Sequence, residues 1–402
     1  MLHYRDARQK VVSVVGSHRL PPVTETVPLL ESLGRVLAVD VTADRDYPPF
    51  HRSTRDGFAV RVADVAEVPS TLHRIGEIPA GQAFDGSVGP GECLQIMTGA
   101  PVPEGADAVV MIEHTEMKGD QVLVKRAVAR GANVVPRGSE ARGGDSLLLA
   151  GTRIGYPHIS LLGQVGCAQV AVFRRPRVAI LSTGDEVVPI EQPPSPVQIR
   201  NSNSYSLAAQ VRALGGEPVL LGNARDDGAE LERFIRRGLE EDLLLLSGGV
   251  SMGKYDLVEV VLRRLGAEFH FDEVAIRPGR PAVFASCQGK LVFGLPGNPV
   301  STMVTFELFA APALALLAGE PPPPLRFLKA RLAESVEQRT QLTMFLPAQW
   351  EGEGAEVIVR QMPYQGSGDV VAVAHADCFL VVPETVKQLE AGAWVDVLLR
   401  SG

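Results

Sequence analysis

The chain has 402 residues, 45% of them hydrophobic and 21% charged, and its formal net charge is -8. This length and composition are enough to bury a sizeable core and predict two to four domains. The negative charge argues against nucleic-acid binding as the main function, and the short, interrupted apolar runs predict no transmembrane helix.

The cysteines and the first residues bear on the compartment. Four cysteines lie far apart without a C-x-x-C pair, which favours small buried hydrophobes in a reducing compartment over zinc or disulfide sites. They are Cys93, Cys167, Cys287 and Cys378. The first ten residues are polar and carry no signal-peptide pattern. We therefore expect a cytoplasmic protein that binds neither a membrane nor a nucleic acid.

The first part of the chain mixes helical and strand-like patterns. Apolar residues recur at helical spacing from Tyr4, and a second helical run is predicted over 29–39. Short strands between Gly and Pro turns then extend over about 46–151, and a further helix is predicted near 157–163. We expect an N-terminal region over 1–173, in which the strand-rich part is inserted into a helical lobe.

Strands and helices alternate in the central part, 174–320. Strands are predicted over 178–181, 219–221 and 243–246, and helices over 201–214, 227–239 and 256–265. This alternation predicts a doubly wound α/β domain, which binds ligands at the carboxyl ends of its strands.

Four consecutive prolines, 321–324, predict a stiff linker to a third region. The segments beyond them are short and alternate apolar with polar residues, without a convincing helix. We expect a small all-β domain over 321–402.

A glycine-rich turn follows the apolar run 243–246. It comprises Ser247, Gly248, Gly249, Val250 and Ser251, and a predicted helix follows. The turn is close to a P-loop but lacks the Ser or Thr that would bind Mg²⁺, because Tyr255 stands there. We expect a phosphate cradle built from backbone N–H groups; the alternative is a plain strand-to-helix turn.

Two further loops could reach the same sheet edge. Arg277 and Arg280 enclose a Pro-Gly pair, which would hold two guanidinium groups towards a dianion. The rigid turn Pro296, Gly297, Asn298 and Pro299 is the second loop. Together with the glycine turn they suit a phosphate or another tetrahedral oxyanion, although surface arginines are the simpler alternative for the first loop.

Carboxylates near the glycine turn predict a metal site. Asp242 and Asp256 flank it in sequence, and Mg²⁺ beside a phosphate needs only one or two protein oxygens. The alternatives are a solvated Asp242 and a helix-capping Asp256. Glu186, after the first central strand, could add a carboxylate to the same edge, whereas Asp56 and Thr98 occupy tight turns where each could equally satisfy local backbone.

Six motifs in order resemble the molybdopterin molybdenumtransferase family, which includes MoeA and the C-terminal domain of gephyrin. They cover nearly the whole chain: Ser53-Thr-Arg-Asp-Gly-Phe-Ala-Val60, Ile96-Met-Thr-Gly-Ala-Pro-Val-Pro103, Ser182-Thr-Gly-Asp-Glu186, Ser247-Gly-Gly-Val-Ser251, Arg277-Pro-Gly-Arg-Pro281 and Leu295-Pro-Gly-Asn-Pro-Val-Ser301.

The resemblance implies insertion of molybdenum from molybdate into adenylylated molybdopterin, with release of AMP and with Mg²⁺ present. It also implies a homodimer whose active site joins the central domain of one subunit to the N-terminal lobe of the other. A molybdopterin adenylyltransferase and molybdoenzyme maturation proteins would be its partners. The functional positions that it implies are Asp56, Thr98, Glu186, Asp242, Asp256, Pro296 and Pro299.

The chain departs from the family pattern at three places. Arg277 and Arg280 stand where lysine is frequent, and Glu140 matches an acidic position only loosely. Ser367 fits a C-terminal motif, but Gly368 and Asp369 follow it in place of a usual histidine and apolar residue. Two other functions stay open from the sequence: a molybdopterin adenylyltransferase, and a non-enzymatic scaffold that clusters partner proteins.

Overall fold

The computed structural model describes residues 1–17, 23–79, 81–249, 257–352 and 357–400. The chain forms two compact units. One comprises Met1–Ala38, Gly151–Ile159 and Ala168–Gly402, and the other comprises Val39–Ala150 and Ser160–Cys167.

A six-stranded sheet is the centre of the first unit. Its strands, in spatial order, are Glu217–Ala224, Arg177–Thr183, Leu243–Ser247, Lys290–Leu295, Val283–Cys287 and Glu268–Phe271. The first four are parallel, and Val283–Cys287 pairs antiparallel with both Lys290–Leu295 and Glu268–Phe271. The uninterrupted leucines at 243–246 suit a strand that is buried on both faces.

Helices cover both faces of this sheet, as a doubly wound fold requires. Leu243 and Leu245 contribute to one core, with the helices Asn203–Ala213 and Pro299–Leu317. Leu244 and Leu246 contribute to the opposite core, with Gly228–Gly238 and Leu257–Arg264. The predicted α/β class and the strand-helix alternation are therefore confirmed.

The helix Pro299–Leu317 meets a length and composition test for a membrane span, but 89% of its apolar window is buried inside the protein. It includes a π-helical turn at Phe306–Ala310. Burial of this kind is expected for the core helix of a folded domain.

The N-terminal segment packs onto the first core. Its helix, Tyr4–Ser17, buries Ala7, Val11 and Val15 there, as its spacing predicts. The predicted helix over 29–39 is wrong, because only the 3-10 turn Leu29–Ser32 forms and Gly34 then adopts a φ of 74°. The strand Thr24–Pro28 pairs antiparallel with Gln169–Phe173.

The C-terminal strands close into a ring. Pairings join Phe327–Leu332, Ile358–Gln361, Thr343–Glu351, Cys378–Val382 and Trp394–Leu399 around a core of their own. The short strand Ile276–Arg277 also pairs with Thr343–Glu351. One short helix, Val370–Ala374, interrupts this β-rich region against the prediction.

The second unit contains the predicted strand-rich part. Its main sheet has the order Ala108–Met111, Gly57–Val60, Glu92–Ile96, Ser70–Ile78, Gln121–Val124 and Thr115–Lys118. Buried apolar residues form a core on each face of the sheet. The helix Tyr156–Gln164, which was predicted near 157–163, begins in the first unit and ends in the second.

Candidate functional site

A cavity of about 670 Å³ lies at the carboxyl ends of the parallel strands. Ligands bind at this edge in doubly wound sheets. The cavity collects the predicted residues Glu186, Ser247, Gly248, Gly249, Pro296, Gly297, Asn298 and Pro299. The loops that were predicted to meet do so here, although Ser251 and Asp256 lie outside the described residues.

The glycine turn has no room for side chains. Gly248 and Gly249 have φ angles of 92° and 65°, which favour glycine strongly. A Cβ at Gly248 would lie 2.8 Å from the backbone oxygen of Thr183, and one at Gly249 would lie 2.8 Å from the Thr183 hydroxyl. Bare backbone therefore faces this part of the cavity, as a phosphate cradle needs.

Asn203 joins the glycine turn to the Pro296–Pro299 loop. Its side-chain nitrogen donates to the Ser247 hydroxyl at 2.9 Å and to the Gly297 carbonyl at 2.7 Å. The carbonyl oxygen of the same side chain is buried and has no hydrogen-bond partner within the described structure. Asn203 thus holds two cavity loops together and keeps an unsatisfied acceptor.

Two carboxylates line the cavity, Glu186 and Asp226. Asp226 donates its backbone N–H to the Asp185 carboxylate at 3.2 Å. Burial, and then the negative charges of Asp185 and Glu186, raise the pKa of Asp226. The sequence analysis missed Asp226, although it closely follows the carboxyl end of the strand Glu217–Ala224.

A second cavity of about 610 Å³ adjoins the first and holds the predicted basic groups Arg277 and Arg280, with Ser367. Pro281, Pro296 and Asn298 line both cavities. An ion pair at 3.3 Å links Arg280 to Glu273, whereas no described carboxylate lies within 4.0 Å of the Arg277 guanidinium. The strand pairing of Ile276–Arg277 with the C-terminal ring fixes the backbone of Arg277.

The C-terminal loop brings Ser367 to this cavity. Asn298 donates its side-chain N–H to the Ser367 hydroxyl at 2.9 Å. Asp369 closes the loop, because its carboxylate accepts the backbone N–H of Gln365 at 3.1 Å and that of Ala372 at 3.0 Å. The Ala372 and Gln365 N–H groups lower the pKa of Asp369.

The structure places Asp242 away from the glycine turn, which it flanks only in sequence. Asp242 precedes the amino end of the strand Leu243–Ser247, whereas the cavity lies at the carboxyl end. Its carboxylate accepts from the Arg174 guanidinium at 2.9 Å and from the Arg177 backbone N–H at 2.7 Å. Asp242 is therefore an ion-pairing residue at the far edge of the sheet, unsuited to a metal bound beside the glycine turn.

Asp56 and Thr98 lie together in the second unit. The Asp56 carboxylate accepts the backbone N–H of Thr98 at 2.6 Å and its hydroxyl at 2.8 Å. These hydrogen bonds lower the pKa of Asp56, and the bond from the backbone N–H has the larger effect. The antiparallel pairing of Gly57 with Ile96 brings the two turns side by side. Glu140 contacts Arg52 at 3.3 Å in the same unit.

The described residues contain no group of three or more His, Cys, Asp or Glu side chains arranged to hold a metal ion. A cation bound by these residues would therefore need further ligands from water or from a substrate. Mg²⁺ commonly binds in this way, through one or two carboxylates and substrate phosphates.

A doubly wound sheet with a cavity at the carboxyl ends of its parallel strands is the arrangement of a ligand-binding α/β domain. Family models match three parts of the chain: "MoeA N-terminal region (domain I and II)" over 2–166, "Probable molybdopterin binding domain" over 179–316, and "MoeA C-terminal region (domain IV)" over 329–399. The chain belongs to the molybdopterin molybdenumtransferase (MoeA) family.

Relatives with this name resemble the chain over most of its length. The Bacillus subtilis molybdopterin molybdenumtransferase is 36% identical over 94% of this chain and 90% of its own. The Staphylococcus aureus (strain Mu50) protein of the same name is 34% identical over 98% of this chain and 94% of its own.

Solved structures give the same result. A molybdopterin biosynthesis MoeA protein from Pyrococcus horikoshii superposes with a TM-score of 0.79 at 36% identity, over 98% of each chain. A second structure of a MoeA protein from that organism has a TM-score of 0.83 at 29% identity, over 99% of this chain and 100% of the other. The recognised family and the three-part architecture are confirmed.

Proposed function

We propose that the protein inserts molybdenum from molybdate into adenylylated molybdopterin, yielding molybdenum cofactor and AMP. Family membership supports this transferase activity. The main structural support is that two cavities adjoin and share three lining residues, Pro281, Pro296 and Asn298. The cavity at the glycine turn would take the adenylate, and the cavity at Arg277 and Arg280 would take molybdate. Molybdenum would then be transferred to the pterin where the two cavities adjoin.

The residues of the chain act mainly by positioning and electrostatics. Backbone at Gly248 and Gly249 would hold a phosphate, and Arg277 and Arg280 would neutralise molybdate. Glu186 and Asp226 both line the first cavity and would suit a divalent cation shared with the substrate phosphates, which would offset the burial and the negative charges that raise the pKa of Asp226. Bound Mg²⁺ would stabilise negative charge on the departing phosphate.

Assembly and location form part of the proposal. We propose a homodimer in which Asp56 and Thr98 of one subunit complete the site of the other, and partners in the same biosynthetic route that supply the adenylate and receive the cofactor. The protein would be cytoplasmic. In support, all four cysteines are free thiols, and three of them are buried.

Molybdate-dependent release of AMP tests the function directly. The purified protein is incubated with adenylylated molybdopterin, Mg²⁺ and molybdate, and AMP is followed against a sample without molybdate. Release that depends on molybdate supports the transferase. Consumption of ATP with free molybdopterin would indicate the adenylyltransferase instead, and inactivity in both assays would leave a scaffold role.

The two arginines should contribute unequally to oxyanion binding. Arg277 has no described ion-pair partner, whereas Glu273 partly neutralises Arg280. Loss of a charge-assisted hydrogen bond weakens binding by roughly 10- to 100-fold, so Arg277→Ala should weaken molybdate binding within that range and Arg280→Ala somewhat less. Calorimetric titration with molybdate measures both, and Glu273→Gln is the matched control that should keep or raise affinity, because it removes the charge that partly neutralises Arg280. Unchanged affinity in both alanine variants would exclude an oxyanion clamp.

A further inference from the structure

The charge of the first cavity does not suit an anionic substrate by itself. Its described lining contains the carboxylates of Glu186 and Asp226, and Arg200 is the only lysine or arginine in that lining. The carboxylates repel a phosphate at close range, so a cationic side chain in the same cavity would favour binding of an adenylate, with or without a bound metal ion.

Arg200 is available for such a ligand. No hydrogen bond or ion pair of its guanidinium is found among the described residues. Two other arginines of this domain, in contrast, are neutralised: Arg174 pairs with Asp242 at 2.9 Å, and Arg177 pairs with Glu241 at 2.7 Å. An arginine without a carboxylate partner keeps its planar donor set for a phosphate, which it can bind through two parallel hydrogen bonds.

The backbone around Arg200 is fixed although the side chain is exposed. The short strand Ile199–Arg200 pairs with Val187–Val188. The N–H of Ile199 donates to the Glu186 carbonyl at 2.9 Å, and the N–H of Asn201 donates to the Val188 carbonyl at 2.9 Å. Arg200 thus projects from a segment that is tied on both sides to the strand after Glu186.

A second, independent feature of the same cavity indicates a polar ligand. The hydroxyl of Thr183 is buried and has no hydrogen-bond partner in the described part of the chain, and Thr183 is only 6% exposed. Buried hydroxyls normally have a partner. A phosphate oxygen would accept this hydrogen bond. The cavity lining also includes Asn203 at the N-terminus of an 11-residue helix, whose dipole favours negative charge.

We propose that Arg200 binds the phosphate of the adenylate substrate and of AMP, and so selects adenylylated over free pterin. This inference rests on the proposed function for the identity of the substrate. The competing explanation is that Arg200 only offsets the charges of Glu186 and Asp226. That explanation predicts full recovery of AMP affinity in Arg200→Lys, which keeps the charge, whereas binding of phosphate through two parallel hydrogen bonds predicts only partial recovery.

Two measurements on the full-length protein test the proposal. AMP is titrated by calorimetry at low and high salt, and KM is measured separately for adenylylated molybdopterin and for molybdate. Arg200→Ala should weaken AMP binding and raise the KM of the adenylate, each by roughly 10- to 100-fold, and leave the KM of molybdate unchanged. Arg200→Lys should recover part of the AMP affinity at low salt, because lysine keeps the positive charge but lacks the paired N–H donors of the guanidinium.

The matched control is Arg225→Ala, which removes an equal charge beside Asp226 from a residue outside the described cavity lining. It should keep wild-type affinity for AMP. The proposal is overturned if Arg200→Ala binds AMP as the wild type does, if the KM values of both substrates rise together, or if Arg225→Ala is equally impaired. The AMP titration needs no turnover, so it judges Arg200 even if molybdate-dependent AMP release fails.

Discussion

The contact between Asp56 and Thr98 shows how one turn sets the charge of a candidate catalytic group. Two hydrogen bonds from Thr98 stabilise the Asp56 carboxylate and lower its pKa. The stabilisation that accompanies a depressed pKa is present at neutral pH and disappears as the pH falls through the folded-state value. Asp56 should therefore be fully ionised under ordinary assay conditions.

Replacing Thr98 should shift this equilibrium in a known direction. Thr98→Val removes the hydroxyl donor but keeps the backbone N–H, so the pKa of Asp56 should rise part of the way to its usual value. The acid limb of AMP release should move to higher pH with it. Carboxyl ¹³C NMR titration measures the pKa, and Thr98→Ser, which keeps a hydroxyl, is the control. A titration curve of Thr98→Val that coincides with the wild-type curve would contradict this assignment.

Asp242 is expected to contribute to stability and not to metal dependence. Asp242→Asn weakens a charge-assisted pair with Arg174 and should lower the free energy of unfolding by about 1–3 kcal/mol. The Mg²⁺ concentration for half-maximal AMP release should not change, because Asp242 lies at the opposite sheet edge. Denaturant unfolding and a Mg²⁺ titration test the two parts, and a large rise in the Mg²⁺ requirement would restore Asp242 to the site.

At the scale of elements, the glycine turn should tolerate no side chain. Gly249→Ala combines a φ of 65° with a contact of 2.8 Å to the Thr183 hydroxyl. We expect a cost of about 1–3 kcal/mol in stability and a marked loss of AMP affinity, since the turn must move to relieve the contact. Thermal unfolding and AMP titration measure both effects.

Gly228→Ala is the matched control for that variant. Gly228 begins the helix Gly228–Gly238, and a Cβ there would meet nothing within 4 Å. Gly228→Ala should unfold at the same temperature as the wild type or at a slightly higher one, because alanine favours the helical conformation. Equal behaviour of the two variants would mean that the turn has more freedom than its contacts indicate.

Much of this architecture follows from local pattern. Four consecutive leucines are typical of a strand that is buried on both faces, so the sequence predicts the central sheet. Glycines directly after that strand indicate a turn without side chains, so the sequence also predicts the phosphate cradle. The prediction for Asp242 did not hold because the five residues of the strand separate it from the glycine turn by about 16 Å, although the two are close in sequence. Asp226 was missed because only the completed sheet shows that the strand before it ends at the same edge.

The short helix Val370–Ala374 was missed for a similar reason. Five apolar residues give no periodicity, and its stability depends on the cap that Asp369 provides through the Ala372 N–H. The helix predicted over 29–39 does not form, although an apolar pattern is present there, because Gly34 adopts a positive φ. Local pattern predicts long elements better than the ends and turns that position a site.

At the scale of the whole molecule, the proposed dimer makes a quantitative prediction. If Asp56 of one subunit serves the site of the other, inactive Asp56→Asn and inactive Arg277→Ala subunits should complement each other on mixing. Each mixed dimer would then carry one doubly altered and one intact site. After random exchange, about half of the dimers are mixed and about a quarter of all sites are intact.

Subunit exchange is confirmed by native mass spectrometry before AMP release is measured. Activity near a quarter of wild type would support composite sites. A confirmed mixture that remains as inactive as its parents would place each complete site within one chain. Mixing Asp56→Asn with Asp56→Ala is the control, since both changes fall on the same residue of the proposed site and should leave no intact site.

The ion pairs at the amino edge of the central sheet have a consequence for how this framework can change. Asp242 and Glu241 bind Arg174 and Arg177 there, at the end remote from both cavities. Part of the stability thus comes from the edge opposite the two cavities, and loops at the carboxyl edge other than the glycine turn can accept substitutions with little effect on these ion pairs. Such a separation favours mutational robustness in the framework and divergence of specificity in the loops, so that new ligand preferences can arise without a compensating change in the sheet.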